Sequence, residues 1–236
     1  MSARRSKILA PVGVKPQAAI YLLKSEFLLV ADRDGVVEQK YIGPGAMRQA
    51  FAAEPIDSGW FPPSVRRWGV CAKGAWMLQF HEPAVRRVWM PGGKRQIKAP
   101  TPALAFFGIG SAYYIWAMKG GRFDPKGRLW NAPCANVNDL GLICWGQNPH
   151  PDVATGRIGQ MWETFWDAPF SDSHRRGKSA QFPQDASARL ADLSKRKVEK
   201  YPEDDMTPLK HRLLPNPTLD AAVELFTRRG DNSWEF

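Results

Sequence analysis

Ala103-Leu104-Ala105-Phe106-Phe107, a glycine-rich turn, and then Tyr113-Tyr114-Ile115-Trp116-Ala117-Met118 decide the architecture. Two short apolar runs joined by a tight turn read as a strand pair. Sequential strands with short turns favour an antiparallel meander over a parallel sheet, which needs long crossovers. Working outward, Trp68-Gly69-Val70-Cys71, a Lys73-Gly74 turn and Trp76-Met77-Leu78-Gln79-Phe80 read as a hairpin, and residues 85–90 as a further strand stopped by Pro91-Gly92-Gly93. Towards the start, residues 18–23 and 27–30 are β-segments. Asp34-Gly35 turns the chain into Val36-Val37-Glu38-Gln39-Lys40-Tyr41-Ile42, which alternates as a half-buried strand does. Residues 46–53 are helix-like, with Met47, Ala50 and Phe51 on one face.

Past Lys119 periodicity fades: residues 120–157 are rich in Gly, Pro and Asn. A stretch of that length inside a compact domain is usually functional. Helical pattern resumes at residues 158–166, stopped by Pro169, and at 185–200. A last helix is expected to start with Asn216 as N-cap and Pro217 as its first residue and to end at Gly230. Strands first, irregular chain next and helices last make an α+β fold. The expected divisions are N-terminal strands and a helix over 1–60, a core over 61–180 and a helical extension over 181–236.

The composition of the 236 residues narrows the function classes. An apolar content of 44% supports a real core. No apolar run approaches the roughly 20 residues that span a bilayer, and the basic start, followed by a stretch broken by Pro11 and Pro16, makes a poor signal peptide. The cytoplasm is the expected compartment, with no membrane partner. Cys71, Cys134 and Cys144 are an odd set at irregular spacing, so they are no disulfide framework. Lys and Arg outnumber Asp and Glu by 33 to 23, for a net charge of +10. That charge is spread in short clusters, which suits an acidic protein partner as well as it suits nucleic acid.

Chemistry concentrates in Ala135-Asn136-Val137-Asn138-Asp139-Leu140-Gly141-Leu142-Ile143-Cys144. Passing an acyl group between thiols needs an accessible thiolate, a donor for the tetrahedral oxyanion and a deprotonated attacking amine. Cys144 lies in irregular chain where access is plausible, Asn136 offers a side-chain amide, and Gly141 allows a tight turn between them.

This spacing resembles the active-site signature of ubiquitin-conjugating enzymes, His-Pro-Asn, a short turn, then Gly-x-Ile-Cys. Asn136, Val137, Gly141, Ile143 and Cys144 agree; Cys134-Ala135 stand where that family has His-Pro, and Trp145-Gly146 follow the cysteine. The segment from Leu129 to Gly146, with its Asn…Gly-x-x-Cys-x-Gly, is similar to the prokaryotic family D of ubiquitin-conjugating-like proteins. That family includes protein B of the PRTRC system and relatives in Bil-type ubiquitin-like operons. Trp162-Glu163-Thr164-Phe165-Trp166 through Asp172-Ser173-His174 is similar to that family's aromatic segment ending in a histidine. The resemblance, over roughly residues 60–180, implies a ubiquitin-conjugating-like fold with an antiparallel meander, flanking helices and a long active-site loop. It implies a Cys144 thioester, Asn136 on the oxyanion, and Asp172 and His174 as a polar gate near the incoming lysine. The partners it implies are an activating enzyme, a ubiquitin-like protein, a lysine-bearing target and a JAB-type deconjugating protease. No cofactor is expected in this chain, because ATP is consumed on the activating enzyme. Bil systems act in antiphage defence.

Other readings stand beside these. Cys144 can be a small half-buried hydrophobe, Asn136 a turn cap, and His174 with Asp172 part of a solvated loop. Cys134 reads as structural, with a resolving thiol as the alternative; His81 and His211 carry no motif. A zinc reading of Cys134, Cys144, His150 and His174 matches no common ligand spacing. Arg66-Arg67-Trp68 and Arg86-Arg87-Val88-Trp89 offer a nucleic-acid reading. The rival to catalysis is therefore a basic scaffold or DNA-binding module on the same fold.

Overall fold

A computed structural model describes residues 18–23, 26–33, 35–47 and 61–228. The chain divides into two compact units, Met1–Trp60 and Phe61–Phe236. In the first, β1 (Ala18–Leu22), β2 (Phe27–Arg33) and β3 (Val36–Ile42) form an antiparallel sheet in that order. Gly35 makes the second turn with positive φ, its N–H donating to Asp32 Oδ1 at 2.9 Å. The helix expected over 46–53 lies, beyond residue 47, outside the described residues, as do the basic start and Gly230.

The second unit is built on a five-stranded antiparallel sheet. Its strands are β4 (Val65–Cys71), β5 (Gly74–His81), β8 (Ala103–Ile109), β9 (Ala112–Met118) and β10 (Leu129–Asn131), in the spatial order β10-β9-β8-β5-β4. Between β5 and β8 the chain makes a separate hairpin, β6 (Ala84–Trp89) with β7 (Gln96–Thr101). Every residue of β8 is buried, because side chains alternate between two faces and both faces are covered. Leu104 and Phe106 of β8, with Tyr113 and Ile115 of β9, point into one core. Ala105 and Phe107, with Tyr114 and Trp116, point into the other.

Three helices close these cores. α1 (Ile158–Asp167) buries Ile158, Met161, Trp162, Phe165 and Trp166, the spacing of a single helix face, in the first core. α2 (Ala186–Lys195) adds Leu190 and Leu193 to that core and packs on β7. α3 (Leu219–Thr227) covers the opposite face through Leu219, Ala222, Val223 and Phe226, with the Phe226 ring 4.2 Å from that of Tyr114. Among the described residues no helix is long and apolar enough to cross a membrane.

Two helix ends differ from the sequence reading. The last helix is capped by Thr218, whose side chain accepts from the Ala221 N–H, and not by Asn216. Residues 217 and 218 are held as an extended segment against β10, with the Leu129 N–H on Pro217 O and an antiparallel bridge between Arg128 and Thr218. That pairing delays the helix by two residues. α2 stops at Lys195, short of residue 200. Lys197 takes a left-handed conformation, and the N–H groups of Val198 and Lys197 return to the carbonyls of Leu193 and Ser194. This is a Schellman ending with lysine where glycine is usual.

The arginine–aromatic interleaving is largely intramolecular. Arg86 sits over the rings of Trp162 and Trp166 at 4.7 and 5.3 Å, and Arg67 over Trp76 at 5.5 Å.

Candidate active site

The segment 136–144 is a tight hairpin rather than free chain. Asn138 directs it: its N–H donates to Leu142 O, and its side-chain Oδ1 accepts from the N–H groups of Leu140 and Leu142, each at 2.9 Å. Asn in this role closes a turn with its own side chain. Gly141 turns the chain back with φ +95°. Val137 and Ile143 then bridge antiparallel, and the Cys144 N–H donates to Asn136 O at 2.8 Å.

The returning arm extends the main sheet. β10 pairs with residues 116–118 of β9; beyond it, the Ile115 N–H donates to Gly141 O and the Ile143 N–H to Tyr113 O. This register sets how Cys144 is presented. Ile143 and Trp145 are buried while Cys144, between them, is exposed, as strand alternation requires. Trp145 is packed edge-on against Tyr113 and Phe165, and the Tyr113 hydroxyl donates to Pro151 O at 2.6 Å. Both sides of the cysteine are therefore anchored in the first core.

Gly141 is irreplaceable for two reasons. Its φ disfavours any Cβ, and a Cβ there would lie 2.1 Å from Trp116 Nε1, which donates to Leu140 O at 2.8 Å. Gly141→Ala is expected to cost about 2–4 kcal/mol from strain and overpacking and to displace Cys144, read as a lowered denaturation midpoint with altered thiol accessibility.

Asn136 is 4% exposed, and its Oδ1 is buried without a hydrogen-bond partner. His174 is half-buried, and its backbone N–H donates to Ala135 O at 2.9 Å, which seats the 172–178 segment beside the asparagine arm. Asp172 is exposed and pairs with Arg175 at 3.4 Å. These two residues share a polar cavity of about 360 Å³ with Asp139, Ser173, Arg175 and Arg176. The structure thus places Asn136 beside Cys144 on one hairpin, and Asp172 with His174 in a cavity walled on one side by the hairpin turn.

Cys134 is fully enclosed. Burial pushes its thiol up to about 12, against the lowering pull of Lys178 and Arg86, so it is inert as a nucleophile at neutral pH. Cys71 is half-buried, which leaves Cys144 as the one exposed thiol of the three. His150 stacks on Trp145, and its Nδ1 lies 3.1 Å from Asn148 O. Among the described residues no group of three or more His, Cys, Asp or Glu is placed to hold a metal, so Cys134, Cys144, His150 and His174 do not converge. His81, which carries no motif, stacks on Trp162 at 3.6 Å; burial, helped by the Arg86 charge, lowers its pKa to about 3.

Sequence reasoning passed over Lys178 and Asp139. Lys178 follows Arg175-Arg176 and reads as one more solvated cation, yet it is 2% exposed. Burial drops its pKa to about 8 against the raising influence of Cys134 and Asp139. No local pattern marks it, because its burial comes from chain folding over it from elsewhere.

The model of the family described as prokaryotic E2 family D matches residues 44–209, a span that takes in the hairpin, the polar cavity and Lys178. No curated protein and no solved structure matches the chain significantly.

Proposed function

This chain belongs to prokaryotic E2 family D, a bacterial E2-like family of ubiquitin-like conjugation, and on that premise we propose that Cys144 is an acyl carrier. Its thiolate attacks the activated C-terminal carboxyl of a ubiquitin-like protein held by an activating enzyme. A tetrahedral oxyanion forms and collapses to a Cys144 thioester, and the activating enzyme's thiol leaves. A lysine amine of the target then attacks the thioester, and the second oxyanion collapses to an amide, releasing Cys144.

The observation that carries this reading is the presentation of Cys144: one exposed thiol, held between two buried anchors and hydrogen-bonded through its backbone to Asn136. Asn136 is the donor for the oxyanion. Asp172 and His174 line the cavity by which the amine approaches, where a carboxylate attracts the ammonium and an imidazole accepts its proton. A bacterial operon that also encodes the activating enzyme, the ubiquitin-like protein and a JAB-type protease is the proposed setting, and antiphage defence the proposed role.

The test is loading on a non-reducing gel with the activating enzyme, the ubiquitin-like protein and ATP. Wild type and Cys134→Ala are expected to load and Cys144→Ala to give no adduct. Loading that survives Cys144→Ala would remove the proposal.

A further inference from the structure

The family match begins at residue 44, so the sheet of β1, β2 and β3 lies outside it. Among the described residues of that sheet none is buried, and even residues 27–31 of the middle strand are only half-buried. Ile20, Tyr21, Leu22, Val36, Val37 and Tyr41 are all exposed, Leu22 at 80%. A small sheet draws its stability from a covered apolar face, and contiguous exposed apolar side chains mark interaction surfaces.

The register shows which face is complementary to what. Residues paired across an antiparallel sheet share a face, and so do residues two apart on one strand. One face therefore carries three successive rows: Ala18, Ala31 and Glu38; then Ile20, Leu29 and Lys40; then Leu22, Phe27 and Ile42. In the first row two small side chains stand beside an anion. In the second, two large side chains stand beside a cation. The opposite face, with Ala19, Val30 and Gln39 next to Tyr21, Leu28 and Tyr41, has no such matching of size and charge.

We infer that the first of these faces pairs with the same face of a second copy of this chain. In a two-fold dimer one patch serves both partners. The axis lies in the plane of the interface and crosses the strands at the level of Ala19, Val30 and Gln39, so that the first row of each copy lies over the second row of the other. Ile20 then sits on the partner's Ala18, Leu29 on the partner's Ala31, and Lys40 against the partner's Glu38, each pairing occurring twice. Large side chains laid on small ones interdigitate in the space of about 10 Å between packed sheets. The two ion pairs lie along β3, an edge strand, where both charged residues are exposed.

Charge favours a second copy over an acidic partner. The net charge of +10 repels two copies at long range, but that repulsion is screened beyond about 8 Å at physiological salt. Within the patch one cation meets one anion, whereas a uniformly acidic surface would be set against Glu38. The pairing concerns the first unit alone and does not depend on the acyl-carrier reading.

Sedimentation velocity of the full chain over a range of concentrations tests the inference. Wild type is expected to pass from monomer to dimer as concentration rises. Leu29→Lys, which puts two ammonium groups at the centre of the interface, is expected to stay monomeric, and Tyr41→Lys on the opposite face to dimerise as wild type does. Glu38→Lys and Lys40→Glu each turn both attractive pairs into repulsive ones and are expected to weaken the dimer by about tenfold. Mixed with each other, these two variants are expected to regain the wild-type affinity as a heterodimer, because each cation again meets an anion. The double variant Glu38→Lys, Lys40→Glu is expected to dimerise alone. The mixing experiment decides the matter even if Leu29→Lys unfolds the sheet. A chain that stays monomeric at every concentration overturns the inference and leaves the face to a different partner. A dimer unchanged by either charge reversal, or weakened variants that fail to rescue each other, overturns it as well and places the contact elsewhere.

Discussion

Asp205→Ala is expected to remove about 3–5 kcal/mol of stability, the cost of leaving one member of a buried ion pair uncompensated. Asp205 is fully buried between α2 and the 179–182 segment. Its Oδ2 accepts from Arg189 Nε at 3.0 Å and the Tyr201 hydroxyl at 2.8 Å; its Oδ1 accepts from the Ser179 hydroxyl at 2.7 Å and the Gln181 N–H at 2.8 Å. Arg189 is itself buried, and its other outlet is Asp192 at 3.1 Å. Truncation strands the guanidinium and three further donors at once. Urea denaturation followed by fluorescence of the many tryptophans reads the effect as a lower midpoint with little change in slope. A loss below about 1 kcal/mol would mean that water replaces the carboxylate at little cost, the behaviour of an exposed pair.

The same residue sets part of the acid limit. Burial alone pushes the Asp205 carboxyl up, but the hydrogen bonds from Gln181, Ser179 and Tyr201 and the charge of Arg189 outweigh it and hold the pKa below its ordinary value. A depressed carboxylate contributes stability that is present above the unfolded pKa of about 3.9 and is lost as pH falls through the folded value. His81 acts at higher pH. It is neutral in the fold, so its contribution is intact above 6.5 and declines as pH falls from there towards about 3. Acid unfolding is thus expected in two overlapping stages, the upper one absent in His81→Phe.

Asn136→Ala is expected to slow discharge of the loaded thioester to a free amine by about 100-fold, the usual effect of removing one oxyanion donor. Stability should change by less than about 1 kcal/mol, because among the described residues the side chain makes no hydrogen bond and its amide oxygen is an orphan. The backbone bond from Cys144 to Asn136 O survives the substitution. Asn136→Asp presents an anion to the developing oxyanion and should be at least as slow. A large loss of stability with unchanged single-turnover discharge would make Asn136 a structural residue.

The legible parts of this fold were those whose burial is written locally. The runs of β8 and β9 are almost wholly apolar because both faces of the sheet are covered, and the α1 stripe repeats at helical spacing. β7 passed unrecognised because Lys98 and Pro100 interrupt its pattern; Pro100 is tolerated in this two-stranded hairpin, opposite Val85. The stretch 120–157 looked structureless for a different reason. Its hydrogen bonds go to β9, to residues 207 and 217 and to the turn after β8, partners that no short window contains.

The site divided the same way. Cys144, Asn136 and Gly141 were singled out by their spacing, and the hairpin accounts for that spacing: two arms, a four-residue turn and one glycine beneath an indole. Asn138, whose side chain ties the turn, sat unremarked inside the quoted motif. Lys178 could not be distinguished from the arginines beside it, because the chain that encloses it lies far away in sequence.

Intact mass spectrometry of the chain after incubation with the activating enzyme, the ubiquitin-like protein and ATP tests the central claim most directly. The account predicts one added ubiquitin-like protein less one water, located at Cys144, removed by reductant, and replaced by a reductant-stable ester in Cys144→Ser. An unmodified chain in the presence of a demonstrably charged activating enzyme would contradict it and leave a binding module on a conjugating-enzyme fold.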